Sequence, residues 1–270
     1  MSTIEQVNEN SKTDIILALD ISTACIGISI VKDDGKSDPE ILKITHVVPK
    51  IKKNIKGIEA LILRKEIFEN EFLSKYKNFG ITECIIESPL AFATGNSNVE
   101  TVSQLLQFNG LLSESVYRVL GIIPNYISSY NARLYSFPQL LSIRKLNKKG
   151  DLYPLNHYKK ALKNNDLVLF GSFPFDCDKK SVMMDLVSEK YPSIEWITDK
   201  KGGIKKENYD ACDSLVCALA YINKKRYGDI NPIITKSEIC NLENSKLIEI
   251  SYTIEYWDKK DNRILNISIN

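Results

Sequence analysis

The chain has 270 residues, of which 43% are hydrophobic and 26% charged, and its formal net charge is +2. This length suits one sizeable α/β domain with additions, and the near balance of charge neither requires nor excludes a polyanionic partner. The six cysteines show no CxxC pair or zinc spacing, and no apolar run approaches the roughly 18 residues of a membrane span, so we expect a reduced, intracellular (cytoplasmic) protein without membrane insertion.

The predicted elements begin after a polar arm over residues 1–13. Three runs rich in β-branched residues follow, IILALDI, IGISIVK and ILKITHVV, and short turn-forming segments separate them. Neighbouring strands with short connections favour an antiparallel meander.

The next segments alternate between helical and strand patterns. Residues 52–79 carry an apolar stripe at helical spacing, and residues 98–120 predict a second helix. Between and after them, ECIIE at 83–87 and PNYISS at 124–129 are typical of short strands. Strands that alternate with helices pair in parallel, so the chain is predicted to form an α/β fold with a mixed five-stranded sheet flanked by helices.

The second half combines a basic insertion with the last helix of the core. Residues 139–175 are irregular and basic, and we interpret them as an insertion in a core that spans 14–228. Helices are predicted over 179–191 and from Tyr209 to about Arg226. The alternating runs KLIEISYTIEYW and RILNISI then predict an appended β-hairpin, so that 229–270 forms a C-terminal β extension.

Four acidic residues stand where their charge needs a partner. Asp20 ends an apolar strand, and Glu87 ends the apolar run CIIE shortly before Pro89. Asp210 and Asp213 lie three residues apart near the start of a helix, and therefore on one face of it. Each also has an ordinary interpretation: a turn former for Asp20, a solvated strand end for Glu87, and capping for the Asp pair.

Considered together, these four residues indicate a metal centre. Ligand sites of open sheets lie beyond the carboxyl ends of parallel strands, where Asp20 and Glu87 stand, and the last helix can pack across them. Converging carboxylates require cations, and hard oxygen ligands suit Mg²⁺ or Mn²⁺. Two such ions about 4 Å apart are the usual apparatus of phosphodiester hydrolysis, so the pattern indicates a nuclease.

Three segments resemble the acidic motifs of RuvC-type Holliday junction resolvases, which belong to the ribonuclease-H-like superfamily. These segments are LALDISTACIGISI, CIIESPLAFATGNSN and NYDACDSLVCALAY, and the resemblance runs over about residues 14–226. It implies a ribonuclease-H-like core in which Asp20, Glu87, Asp210 and Asp213 are catalytic and bind two ions of Mg²⁺ or Mn²⁺ per site. It also implies a homodimer that cuts branched DNA, a four-way junction, and leaves a 5′ phosphate.

The resemblance suggests roles for individual residues and shows one departure. Asp20 is expected to bridge the two metal ions, Glu87 and Asp213 to complete their coordination, and Asp210 to orient the attacking water. Bacterial resolvases carry an aromatic wedge three residues behind the strand-four Glu, whereas the nearest aromatic here, Phe92, comes five residues after Glu87. This departure, the insertion and the C-terminal hairpin favour a specialised phage or viral member of the group.

Phosphate contacts are expected from two basic segments, one just before the last helix and one in the insertion. The residues are Lys200, Lys201, Lys205, Lys206, Arg144, Lys145, Lys148 and Lys149. Lysine and arginine bind phosphate oxygens without regard to base sequence. The ordinary interpretation of each run is a solvated surface.

Three other functions stay open. ALDISTACIGISI also resembles the phosphate-binding hairpin of sugar kinases and actin-like ATPases, but the sequence contains neither a duplicated core nor a second glycine-rich loop. A ribonuclease-H-like nuclease of flaps or forks would carry the same acidic set. A non-catalytic DNA-binding or structural scaffold is the third, and the presence of all four carboxylates argues against it.

Overall fold

A computed structural model describes residues 13–89, 98–137, 143–145, 171–173, 179–228, 233–237, 252–258 and 263–269. The core strands are β1 Asp14–Ile21, β2 Ile26–Asp33, β3 Glu40–Val47, β4 Glu83–Glu87 and β5 Asn125–Ile127. They form one sheet in the order β3-β2-β1-β4-β5. β2 pairs antiparallel with β1 and β3, whereas β4 pairs parallel with β1 and β5, so the predicted mixed five-stranded sheet is confirmed.

Helices cover both faces of this sheet. They are α1 Gly57–Phe68, a π-helical turn Glu69–Leu73, α2 Ser74–Tyr76, α3 Val99–Leu120, α4 Ser129–Ser136, α5 Lys179–Lys190 and α6 Glu207–Tyr227. Because successive side chains of a strand point to opposite faces, β1 contributes to two cores. Ile16 and Ala18 pack with α4, α5 and α6, whereas Leu17 and Leu19 pack with α1 and α3. Covering on both faces explains why β1 is an uninterrupted apolar run.

The close packing of α6 on the sheet depends on Gly27 of β2. A Cβ atom at Gly27 would lie 1.9 Å from the backbone carbonyl oxygen of Asp210 and 2.6 Å from the backbone nitrogen of Ala211. Gly27 pairs with Asp20 on the neighbouring strand. The missing side chain therefore lets the first turns of α6 lie against the sheet at the level of Asp20.

The ends of α3 follow ordinary capping chemistry. The side chain of Asn98 accepts a hydrogen bond from the backbone N–H of Thr101 at 2.7 Å. At the other end, Gly121 adopts a left-handed conformation with φ of 72°. These caps agree with the helix predicted over 98–120.

Two helical segments differ from the predictions. α1 begins at Gly57 instead of residue 52, and it continues through the π-helical turn to Tyr76 instead of residue 79. α4 was not predicted, since the strand assigned to 124–129 ends at Ile127. The hydroxyl of Ser128 accepts a hydrogen bond from the backbone N–H of Asn131 and begins that helix.

Among the described residues, two smaller sheets lie outside the five-stranded one. β6 Ile143–Lys145 and β7 Gly171–Phe173 pair in parallel, and β8 Ile233–Ser237, β9 Tyr252–Asp258 and β10 Arg263–Ile269 form an antiparallel sheet. Most of the predicted insertion over 139–175 and much of the extension after 229 lie outside the described residues, so the domain boundaries stay predictions. No helix in the described part of the chain is long and apolar enough to cross a bilayer.

Candidate metal centre

Asp20 and Glu87 stand at the ends of two neighbouring parallel strands. Leu19 of β1 pairs with Ile86 of β4, so Asp20 and Glu87 are the next residues along each strand. Leu19 and Ile86 are fully buried, and this packing holds both strand ends in place. The two carboxylates therefore share the edge of the sheet where ligand sites of α/β folds occur.

The first turns of α6 bring two more carboxylates to the same edge. Asp20, Asp210 and Asp213 each offer one carboxylate oxygen, and these three atoms lie within 4.8 Å of one another. Asp213 is 7% exposed, and Asp20 and Asp210 are half-buried. Segments far apart in the chain thus form one acidic cluster of a size that a single cation can bridge.

Glu87 lies beside this acidic cluster. Its carboxylate is close enough to Asp20 and Asp213 for each to disfavour the other's ionisation. The thiol of Cys217, which is fully buried, donates a long hydrogen bond to Glu87 Oε2 at 3.9 Å. Cys217 follows Asp213 by about one turn of α6. The same helix therefore contributes Asp213 to the acidic cluster and contacts Glu87 through Cys217.

Burial disfavours the ionised carboxylates of Asp20, Glu87 and Asp213. Burial is the largest cause that raises the pKa of Asp20 well above its ordinary value, and the charges of Glu87, Asp213 and Asp210 add to it. Burial and then the charge of Asp213 raise the pKa of Glu87 to about 7. Burial likewise raises the pKa of Asp213. A divalent cation would remove this penalty, and the all-oxygen donor set fits Mg²⁺ or Mn²⁺.

Lys180, which the sequence analysis did not single out, faces the same carboxylates. Its Nζ lies 3.4 Å from Asp210 Oδ1 and 3.5 Å from Asp213 Oδ2. Burial lowers the pKa of this ammonium group, but the negative charges of Asp213, Asp210 and Asp20 outweigh burial and raise it. Lys180 therefore stays protonated. Its side chain is 46% exposed, so the positive charge lies on the side of the acidic cluster that solvent can reach.

Arg133 of α4 is a second basic residue that the sequence analysis missed. Its charge lowers the pKa values of Glu87 and Asp213, in opposition to the larger effect of burial. Lys180 lies on α5, whose Met183 and Met184 pack into the core, and Arg133 lies on a helix that was not predicted. Only the tertiary contacts therefore reveal that either cation faces the acidic cluster.

The lysines predicted to contact phosphate surround a tight turn just before α6, and all four are exposed. They are Lys200, Lys201, Lys205 and Lys206. Thr198 and Ile204 pair as an antiparallel bridge across this turn. Of the other predicted contacts, Arg144 and Lys145 lie in β6, whereas Phe92, Lys148 and Lys149 lie outside the described residues.

Among the comparisons with known proteins, the comparison with solved structures finds similar proteins. No protein-family model and no curated protein matches the chain. Thermus thermophilus RuvC is 12% identical, with a TM-score of 0.45 over 79% of this chain and 96% of that one. The same protein in complex with a Holliday junction substrate is 11% identical, with a TM-score of 0.44 over 79% and 96%. The yeast mitochondrial Holliday junction resolvase is 10% identical, with a TM-score of 0.43 over 82% and 84%.

Proposed function

We propose that this protein is a divalent-metal-dependent endonuclease that cuts branched DNA, with the four-way Holliday junction as its substrate. The observation that carries the proposal is the acidic cluster of Asp20, Asp210 and Asp213, whose ligand oxygens lie within 4.8 Å of one another. Glu87, buried beside them, adds a fourth carboxylate. Several carboxylates this close stay ionised together only with cations, and such sites are typical of phosphodiester hydrolysis.

In this proposal the four carboxylates would hold two ions of Mg²⁺ or Mn²⁺. Asp20 would be a ligand common to both ions, since it lies close to Asp210 and Asp213 and interacts electrostatically with Glu87 as well. Bound metal of this kind activates water and stabilises the leaving oxygen of a phosphodiester. The Lys180 side chain is 46% exposed, so its ammonium, which lies 3.4 Å from Asp210 Oδ1, can also donate to a phosphate oxygen that enters the site.

DNA binding in the proposal comes from two groups of basic residues. The four lysines before α6 supply phosphate contacts closest to the carboxylates, and Arg144, Lys145, Lys148 and Lys149 supply further ones from the insertion. Each phosphate that they neutralise makes binding more sensitive to salt. Phe92 is the proposed aromatic wedge.

The proposed enzyme acts as a homodimer, and α3 offers a surface for the second copy. Val99, Leu106 and Tyr117 are 78%, 45% and 57% exposed, and their spacing is close to whole helical turns, so they share one face. Gly110 lies on that face with open space where a side chain would be. Two copies of this face would bury apolar surface in a symmetric contact with closely approaching helices.

A cleavage assay with labelled DNA tests the proposed function. Purified protein is incubated with four-way, forked and linear duplex DNA, with Mg²⁺ or with EDTA, and the products are separated on a denaturing gel. We expect paired nicks on opposing strands of the four-way junction in Mg²⁺. EDTA and the substitution Asp20→Asn should each reduce cleavage at least a hundredfold.

Asp38→Asn is the matched control, because it removes the same charge at the other end of the sheet. Asp38 is exposed in the turn between β2 and β3, and that turn adjoins the pair Asp14 and Asp33 rather than Asp20. Cleavage by Asp38→Asn should equal that of the parent chain. Cutting of forks alone would change the substrate in the proposal, and no metal-dependent cutting of any DNA would contradict it.

A further inference from the structure

A preorganised turn precedes α6, and we name residues 197–206 the basic hairpin. The backbone N–H of Asp199 donates to the carbonyl of Gly203 at 2.8 Å, and that of Lys205 donates to the carbonyl of Ile197 at 3.1 Å. Asp199 Oδ1 also accepts hydrogen bonds from the backbone N–H groups of Lys201 and Gly203, at 2.7 and 2.9 Å. These bonds fix the shape of the turn and satisfy the Asp199 carboxylate within it.

Asn208 anchors the basic hairpin to the helix that carries the acidic pair. Asn208 is 2% exposed. Its Oδ1 accepts from the backbone N–H of Ile197 at 3.2 Å, and its Nδ2 donates to the carbonyl of Ile197 at 2.7 Å. Because Asn208 stands in the first turn of α6, two residues before Asp210, the hairpin is held at a fixed distance from the acidic cluster.

Ile204 is an exposed apolar side chain within this lysine-rich hairpin. It is 56% exposed and directly precedes Lys205 and Lys206. The positive charges of the lysines complement the negative phosphate backbone. The side chain of Ile204 has no charge or hydrogen-bond donor with which to bind phosphate. Isoleucine is among the side chains that DNA-binding proteins insert at base steps that unstack readily.

We propose that the basic hairpin recognises the branch point of the DNA, with Ile204 packed against the base pair that the branch exposes and the lysines on the flanking phosphates. This inference rests on the proposed function and deepens it, because it names a second apolar group, besides the proposed wedge Phe92, that distinguishes a branch from a continuous duplex. Between its ends, a linear duplex offers its phosphates to the lysines and no exposed base-pair face to Ile204. The anchor at Asn208 then sets the distance between the branch and the phosphate that is cut.

Binding to two DNAs tests this inference without cleavage. The full chain with Asp20→Asn serves as the parent, and its affinities for a four-way junction and a linear duplex of the same arm sequence are measured by fluorescence anisotropy in Ca²⁺. We expect Ile204→Ser to weaken junction binding about tenfold, because apolar contact area is lost, and to leave duplex binding unchanged.

Ile58→Ser is the matched control, and a fluorescent base gives a second readout. Ile58 is 55% exposed on α1, which packs on the opposite face of the sheet from α6, so its substitution should change neither affinity. A 2-aminopurine beside the branch point should brighten when the parent chain unstacks it and stay quenched with Ile204→Ser. The double substitution Lys205→Ala, Lys206→Ala should weaken binding to both DNAs and lower its salt dependence.

The outcomes separate this inference from the proposed function. A parent chain that prefers the junction, together with an Ile204→Ser variant that keeps the full preference, overturns the inference alone. Equal weakening on junction and duplex also overturns it, since Ile204 would then serve general binding. A parent chain without preference for the junction overturns both the inference and the substrate in the proposed function.

Discussion

Glu87 illustrates how burial changes the chemistry of a single residue in this protein. Burial raises its pKa to about 7 from an ordinary value of 4.5. The free energy of unfolding and the affinity for metal therefore both change across the neutral pH range, because protons and metal ions compete for the same oxygen atoms.

The pH dependence of stability follows from the direction of this shift. Between about pH 4.5 and 7 the folded metal-free chain holds a proton on Glu87 that the unfolded chain has released, so the free energy of unfolding falls as pH rises through that interval. We expect Glu87→Gln to remove this contribution, so that its melting temperature falls less from pH 5 to pH 8 in EDTA than that of the parent chain. Mg²⁺ should stabilise the parent chain at pH 8 and have little effect at pH 5. Parallel curves for parent and variant in EDTA would contradict the account.

Lys180 balances part of the negative charge of the acidic cluster, at 3.4 and 3.5 Å from Asp210 and Asp213. Removal of this charge in Lys180→Ala should strengthen Mg²⁺ binding about tenfold at low salt, since the ammonium group no longer repels the cation. The same variant should cut the junction less well, because one phosphate contact is lost. Calorimetry and the cleavage assay measure the two effects, with Lys190→Ala at the exposed end of α5 as the control. Weaker metal binding in Lys180→Ala would contradict this role.

At the scale of elements, the contact between α6 and β2 positions the site. A side chain at Gly27 would collide with the backbone of Asp210 and Ala211, so α6 would have to move away from the sheet. We expect Gly27→Ala to cost about 3 kcal/mol of stability, at the upper end of overpacking costs, and to weaken metal binding. Gly35→Ala is the control: φ of 74° makes it cost about 1 kcal/mol, while metal binding stays unchanged. Thermal melts and calorimetry give both quantities, and parental metal affinity in Gly27→Ala would contradict the argument.

Elements with strong local patterns were predictable from the sequence. The apolar run of β1 and the caps of α3 at Asn98 and Gly121 specify their bounds almost to the residue. The short helix α4 was not predictable, because its sequence SYNARLYS carries no extended apolar stripe. Tertiary contacts hold α4 instead: Tyr135 is buried in the core, and the Ser136 hydroxyl donates to the carbonyl of Val216 at 2.9 Å.

In the candidate site, too, some features were predictable from local sequence patterns and others depend on tertiary contacts. Asp20 and Glu87 were recognisable because each interrupts an apolar run, and Asp210 and Asp213 because two acids share one helix face. That these residues lie close together depends on the order of the strands in the sheet and on the close contact at Gly27. Neither can be predicted from a local sequence pattern. Lys180 enters the site through long-range packing, and so does the hydrogen bond between Cys217 and Glu87.

As a whole molecule, the proposed enzyme consists of two copies of the chain. The apolar face of α3, with Val99, Leu106 and Tyr117, is the proposed contact. Analytical ultracentrifugation should give a mass near twice 30.7 kDa. Leu106→Asp should convert the protein to a monomer, because a buried unpaired charge opposes association. Ile58→Asp, on α1, should remain dimeric, and a monomeric parent chain would contradict the prediction.

A metal titration of the intact chain measures whether the acidic cluster and Glu87 bind a divalent cation, on which the proposed function depends. Mn²⁺ is added at pH 8, and free ion is followed by electron paramagnetic resonance. We predict that the parent chain and Asp38→Asn bind Mn²⁺, that Asp20→Asn binds it at least tenfold more weakly, and that Mg²⁺ displaces it. Equal binding by the parent chain and Asp20→Asn, or no binding by either, would contradict the assignment of Asp20, Glu87, Asp210 and Asp213 as a metal centre.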